Sequence, residues 1–185
     1  MSTTPLETAI TSTRSVLLGV SSSQLSDATP CAEWNVGQLI NHIVGAQHFF
    51  ASSVKGEPVE GEAPDFSAGD YLASFDSGAQ MCLDAFKEPG AMDKMITLPF
   101  GTMPGSAFVG LAATDTFTHG WDLAKATGQN TDLAPELAKE LLEGSRANIS
   151  PAFRNEAGSP FGFEKPAASG SSKADELAAF LGRSI

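Results

Sequence analysis

The sequence predicts an all-α protein, an antiparallel four-helix bundle with a short C-terminal extension. Three observations carry this. Glycine and proline divide the chain into blocks in which the apolar residues recur at helical spacing. No block shows the strong period-two alternation of a half-buried strand. The four longer blocks are joined by short links, as antiparallel neighbours require.

Taken in order, the first helix covers about 4–20, with Leu6, Ile10, Leu17 and Leu18 as apolar members. The run Ser26-Asp27-Ala28-Thr29-Pro30-Cys31 breaks it. A second starts at Asn35, whose side chain suits an N-cap, and Gln38 three positions on completes a capping-box pattern. Val36, Leu39, Ile40, Ile43, Phe50 and Val54 form its apolar stripe. Residues 55–65 hold two prolines, two glycines and several acids, and read as an exposed connection. A third helix covers 67–86 through Tyr71, Leu72, Phe75, Met81 and Leu83, and stops near Pro89-Gly90. Ile96-Thr97-Leu98 reads as one short extended piece. Residues 99–105 form a loop into the fourth helix, with Pro104 suited to its first turn. That helix runs to about Thr127 and ends at Gly128, a C-cap glycine. Pro135 opens a fifth, to about Ile149. Beyond Ser150 glycine, proline and serine dominate until a last short helix over 174–181. There is no internal repeat.

At 185 residues and 42% apolar, the chain fits a single domain spanning 1–185 with a proper core. Its 22 acidic and 11 basic residues give a formal charge of -11, which speaks against nucleic acid as a partner, since phosphate binding needs a concentrated basic surface. No run approaches a membrane span, and the N-terminus lacks a basic region followed by an apolar one; the expectation is a cytoplasmic protein. Cys31 and Cys82 are too few for a disulfide framework and are expected as reduced thiols.

The chemistry concentrates in Thr114-Asp115-Thr116-Phe117-Thr118-His119-Gly120-Trp121-Asp122-Leu123-Ala124. On a helix, Asp115 and His119 sit one turn apart on one face. The inward stripe reads Phe108, Leu111, Ala112, Asp115, His119, Asp122, Leu123 and Ala126, so polar groups interrupt an apolar face. A buried carboxylate needs a partner. Two readings stand: a carboxylate and an imidazole gripping one divalent cation, or an Asp115–His119 hydrogen bond in the core. A cation needs one further ligand, and His42, at the margin of the second helix's stripe, is the candidate. Its alternative is a neutral core histidine bonded to a carbonyl. His48 shares a face with Asn41, Gly45 and Ser52 and reads as a surface residue. Two imidazoles and one carboxylate leave coordination positions open. Zinc in a catalytic role is the first expectation; the facial triad of iron enzymes matches the same set, and nickel is compatible by ligand type.

Other groups carry weaker signals. Cys82, inside the third helix, reads as a buried small hydrophobe, and Cys31, in a loop before a helix start, as a thiol open to a lowered pKa. Arg146, Arg154 and Arg183 are surface salt-bridge partners or binders of a substrate carboxylate. Trp34 and Trp121 are packing residues, Trp121 also standing beside His119 where a pocket wall would be. Asp122 either orients a ligand from behind or bonds to a neighbouring backbone or basic group. The phosphate-loop pattern is absent from 99–105.

Thr29-Pro30-Cys31-Ala32-Glu33-Trp34-Asn35-Val36, then 39–47, then 115–128 with its His-Gly-Trp-Asp-Leu-Ala element, then Leu181-Gly182-Arg183 resemble a bacterial family. It is the DinB-like, mycothiol-dependent maleylpyruvate isomerase-type metal-binding family. The resemblance implies a DinB-like four-helix bundle with a divalent metal at one end, held by His42, Asp115 and His119. It also implies a low-molecular-weight thiol as co-substrate, bound at the metal as thiolate and adding to an electrophilic carbon. Asp115 stands where Glu or His is commoner; the shorter carboxylate implies a weaker hold, or one helped by a helix shift or a bridging water. The isomerase proper carries a further C-terminal domain for which this chain is too short. The expectation is therefore a thiol-dependent S-transferase or isomerase-like enzyme, its partners a small-molecule thiol and an electrophile. No nucleic acid or membrane is expected, and a homodimer is compatible. The rival expectation is a non-catalytic metal- or ligand-binding bundle with a weakened or vestigial site.

Overall fold

A computed structural model describes residues 2–57, 64–155 and 161–185. Among these residues the protein is mainly helical: α1 (Thr4–Leu18), α2 (Val36–Lys55), α3 (Tyr71–Lys87), α4 (Gly105–Ala126), α5 (Pro135–Asn148) and α6 (Lys173–Phe180). Two strands, β1 (Met95–Leu98) and β2 (Gly101–Pro104), pair antiparallel between α3 and α4. No helix is long and apolar enough to cross a membrane among the described residues.

Local chemistry sets the helix boundaries. The capping box at Asn35 is present as the sequence predicts: its side chain accepts from the Gln38 N–H at 2.9 Å while Gln38 Oε1 accepts from the Asn35 N–H at 3.0 Å. Asp70 and Ser172 cap α3 and α6 with single bonds, their side chains accepting from the Ala73 and Asp175 N–H. At the other end of α2, Lys94 Nζ donates to the Val54 and Lys55 carbonyls at 2.7 and 3.1 Å, satisfying acceptors that a helix terminus leaves free. The third helix starts later than the sequence suggests, because Phe66–Ala68 forms a separate 3₁₀ turn under its own cap, Asp65. Most of the connection expected over 55–65 lies outside the described residues.

The hairpin corrects the sequence reading. Residues 101–104, expected as loop, are the partner strand of the extended piece, in the register Met95↔Pro104 to Leu98↔Gly101, and Pro104 caps α4 rather than lying in its first turn. Ile96 and Leu98 turn inward and are buried while Met95 and Thr97 face out, but four residues are too few for that alternation to register beforehand. Leu18 is a second correction: it ends α1 on the solvent side, 59% exposed, and takes no part in the core.

α1 packs along α4 and α3, and α2 along α3 and α4, so the four long helices share one core. α6 packs on α5 and reaches α4. Phe108 sits where α2, α3 and α4 meet, its ring 5.3 Å from Phe50, 5.8 Å from Phe86 and 6.3 Å from Phe49. Burying one such ring is worth about 1.5–3 kcal/mol, and α4 buries residues on nearly every face, including Trp121 at 0% exposure. Polar ties fix the helices in register. Gln47 of α2 donates to Thr116 Oγ1 of α4, and Thr13 of α1 donates to the Thr116 carbonyl, each at 2.9 Å and buried. Thr116 adjoins Asp115, so the register of α2 against α4 is set beside the candidate ligands.

Candidate metal centre

The two helices that carry the candidate ligands meet as the spacing suggests. His42, Asp115 and His119 each offer one donor atom, and the three atoms lie within 4.8 Å of one another. Asp115 Oδ1 is 3.4 Å from His42 Nε2 and 3.6 Å from His119 Nε2. These separations are long for hydrogen bonds. They equal the edge of a tetrahedron around an ion with ligands at about 2.1 Å, which is roughly 3.4 Å. The second oxygen, Asp115 Oδ2, is buried and has no hydrogen-bond partner. A buried, unpartnered carboxylate oxygen beside two imidazoles is the arrangement that a divalent cation would satisfy. The shorter aspartate thus does not keep the carboxylate from reaching both rings. Trp34 walls the group: its ring centroid is 4.6 Å from His42 and 5.7 Å from His119, and the two histidine rings lie 4.4 Å apart.

Asp122, Arg183 and Cys31 stand behind His119. His119 Nδ1 is 3.0 Å from Asp122 Oδ2, and Asp122 is fully buried. Asp122 also accepts from Arg183 at both oxygens and from the Cys31 thiol at 3.2 Å. Burial alone would raise the Asp122 carboxyl, but its bond to His119 and the Arg183 charge overcome this and hold it well below the usual carboxylate range. An ionised carboxylate only accepts, so Nδ1 of His119 carries a proton toward Asp122, and Nε2, which faces Asp115 and His42, is the nitrogen that an ion would deprotonate. On the protein groups alone, burial disfavours the His119 imidazolium, yet Asp115 and Asp122 outweigh it and raise its pKa to about 10. Burial also works against the Asp115 anion, and the charge of His119, with help from His42 and Arg183, still holds that carboxyl low.

Cys31, His119 and Asp122 form a second possible ligand set by distance. The Arg183 guanidinium, 2.9 Å from Asp122 Oδ2 and 3.9 Å from Cys31 Sγ, opposes a cation there by like charge. That set reads as the support of His119. Arg183 arrives from the turn after α6, whose Gly182 has φ +99° and lies so close to the Gly162 backbone that a Cβ would come within 2.7 Å of it.

The remaining expectations divide. Asp122 does both things proposed for it, orienting His119 and pairing with a basic group. Arg183 is not a surface residue, since its side chain is 14% exposed. Arg154 donates to the Gly162 and Phe180 carbonyls, while Arg146 is exposed with its guanidinium 5.8 Å from the Phe180 ring. Neither reaches the centre. Trp121 is buried against α6, donating to Asp175 at 2.9 Å. His48 is half-buried rather than on the surface, its ring stacked on Phe66 at 5.6 Å, and it stands outside the ligand group. Its burial against Phe66 lowers its pKa. Cys82 is buried, which pushes its thiol up to about 12, and both cysteines are free. The sequence placed Cys31 only in a loop. Its contacts with Asp122 and Arg183 span 91 and 152 residues, beyond any local pattern.

A cavity of about 380 Å³ adjoins the ligand group. Gly45, Ala46, Phe49, Phe50, Phe100 and Leu111 line it together with His42 and Asp115. The hairpin contributes Phe100, the second residue of the turn between β1 and β2.

This helical chain, with two histidines and an aspartate brought together from α2 and α4, matches the family model of the mycothiol maleylpyruvate isomerase N-terminal domain over residues 6–124 and belongs to that family. Two relatives from Mycobacterium tuberculosis, the uncharacterized proteins MT0763 (strain CDC 1551 / Oshkosh) and Rv0738 (strain ATCC 25618 / H37Rv), are each 43% identical over 170 residues. In each case the alignment covers 92% of this chain and 91% of the relative. No solved structure matches the chain significantly. Cys31, Trp34, His42, Asp115, His119 and Asp122 fall inside the matched segment, and Arg183 lies beyond it.

Proposed function

We propose that this single-domain protein is a DinB-like, antiparallel four-helix metal-binding domain. His42, Asp115 and His119 hold one divalent ion, zinc first among the candidates, and the domain acts as a thiol-dependent S-transferase or isomerase-like enzyme. The mutual packing of α1 with α3 and α4, and of α2 with the same two helices, supports the four-helix reading. The observation that carries the metal assignment is Asp115, whose Oδ1 stands between two imidazole Nε2 atoms while its Oδ2 is buried without a partner. Bound there, the ion would supply Lewis-acid chemistry that favours the thiolate form of a low-molecular-weight thiol of the mycothiol kind.

The chain's own residues do the rest. Asp122 fixes the tautomer and tilt of His119, and Arg183 neutralises Asp122 so that the buried carboxylate remains ionised. Trp34 covers the two histidine rings and limits water on that side. The cavity, which Trp34 does not line, offers an electrophile a place beside His42 and Asp115. In S-transfer, a C–S bond forms as the leaving group departs with its electron pair. In isomerisation, the sulfur adds to a carbon–carbon double bond, the resulting single bond rotates, and elimination returns the thiol.

The test is elemental analysis of protein purified without chelator, followed by thiol titration. One ion per chain and saturable mycothiol binding are expected. Metal without thiol binding would favour a structural centre, and no metal would favour a core hydrogen-bonded cluster.

A further inference from the structure

We propose that the electrophile of this centre is a neutral, apolar compound, aromatic or alkyl and without a carboxylate. Its apolar part would lie against Phe49, Phe50, Phe100 and Leu111 and its reactive carbon toward His42 and Asp115. The inference rests on the metal-and-thiol reading above and narrows it to a substrate class.

The cavity has the size of a small-molecule site, at about 380 Å³. Among the described residues, every one that lines it apart from His42 and Asp115 is apolar or lacks a side chain, and neither lysine nor arginine is included. A carboxylate or phosphate entering it would lose its water and find no donor side chain other than the histidine. The charge of the chain, -11, also opposes an anion.

The arginine whose charge reaches Asp115 is engaged elsewhere. Arg183 binds both oxygens of Asp122 and the Leu181 carbonyl, and it does not line the cavity. With two neutral imidazoles and one carboxylate, a divalent ion would keep one net positive charge. One thiolate would cancel it, leaving no net attraction for an anionic second substrate.

Gly45 gives the cavity part of its room. A Cβ at this helical position would meet nothing within 4 Å, so the backbone accepts a side chain here and any further atoms would take up space in the cavity that Gly45 lines. Leucine is also a better helix former than glycine, so Gly45→Leu fills the cavity while favouring α2.

The experiment titrates the full chain, as purified and in excess mycothiol, with N-phenyl-1-naphthylamine, an uncharged fluorophore whose emission rises in apolar surroundings, with and without excess fumarate. Metal content is measured in parallel. Saturable binding that fumarate leaves unchanged is expected, with the dissociation constant raised roughly tenfold or more in Gly45→Leu at unchanged metal content. Phe100 is 65% exposed, so Phe100→Ala spares the core and carries the test if Gly45→Leu does not fold; it too is expected to weaken binding. Displacement of the fluorophore by fumarate, or parental affinity in the folded variants, would overturn the proposal. Binding that depends on Gly45 in a protein without metal would sink the metal reading while supporting the apolar pocket, so the two failures are distinct.

Discussion

Arg183 grips Asp122 through both carboxylate oxygens, Nε to Oδ1 at 3.2 Å and Nη2 to Oδ2 at 2.9 Å, and the same Oδ2 meets His119 Nδ1 at 3.0 Å. A residue outside the family-matched segment therefore controls a histidine inside it. Replacing Arg183 with methionine removes the charge and leaves a fully buried carboxylate with one fewer partner. Breaking such a pair costs about 3–5 kcal/mol. Metal affinity is expected to fall about 10–100-fold, as when other outer partners of a ligand are lost. Competition with a chromophoric chelator measures the affinity and urea unfolding the stability. Lysine at the position restores the charge but not the two-pronged grip, so partial recovery is expected.

His119→Ala is expected to abolish metal uptake and leave a helical protein. The side chain is a ligand in the proposed set, and the core of α4 rests instead on Phe108, Phe117, Trp121 and Leu123. Elemental analysis with circular dichroism checks both halves. Unchanged metal stoichiometry in a folded variant would remove His119 from the ligand set.

Metal uptake should release a proton and strengthen with rising pH. His119 has a pKa raised to about 10 by Asp115 and Asp122 against the opposing effect of burial, so near neutral pH an ion must displace its proton. Apparent affinity should climb by up to about tenfold per pH unit between roughly pH 7 and pH 10 and then level off. The stability of the metal-free protein runs the other way. A raised folded-state pKa stabilises fully below the unfolded value, near 6.5, and that contribution disappears as pH rises through about 10. Calorimetry in buffers of differing ionisation enthalpy counts the proton; an uptake independent of both buffer and pH would contradict the assignment.

The two thiols should part company under alkylation. Cys82 has no exposed surface and a pKa pushed up to about 12 by burial, whereas Cys31 is partly exposed beside Arg183. At pH 8 iodoacetamide should label Cys31 in the native protein and reach Cys82 only on unfolding. Mass spectrometry of the digested protein reads the outcome, and native labelling of Cys82 would show that the core opens under these conditions.

How far the sequence could be read depended on the range of each signal. The Asn35–Gln38 box and the Asp115–His119 spacing are local, and both appear where expected. The place of His42 beside Asp115 was legible because helical periodicity put it at the edge of an apolar stripe, and two packed helices do the rest. Arg183 and Cys31 were not legible in their roles. Each reaches Asp122 across a long stretch of chain, 61 and 91 residues, and an arginine near a C-terminal turn or a cysteine in a loop has a commoner, blander explanation. Strand β2 was hidden by its proline, its glycine and its length. His48 was misjudged because the stacking partner, Phe66, comes from a 3₁₀ turn that no helical period announces.

The tether from Arg183 to Asp122 also sets an order of events during synthesis. Both histidines and both aspartates leave the ribosome well before the guanidinium that steadies them. A nascent chain can bring α2 and α4 together early, yet the proposed ion pocket would be complete only when the turn after α6 has folded back beside Gly162. Loading of the proposed centre with metal would thereby wait for the turn after α6, 61 residues beyond Asp122.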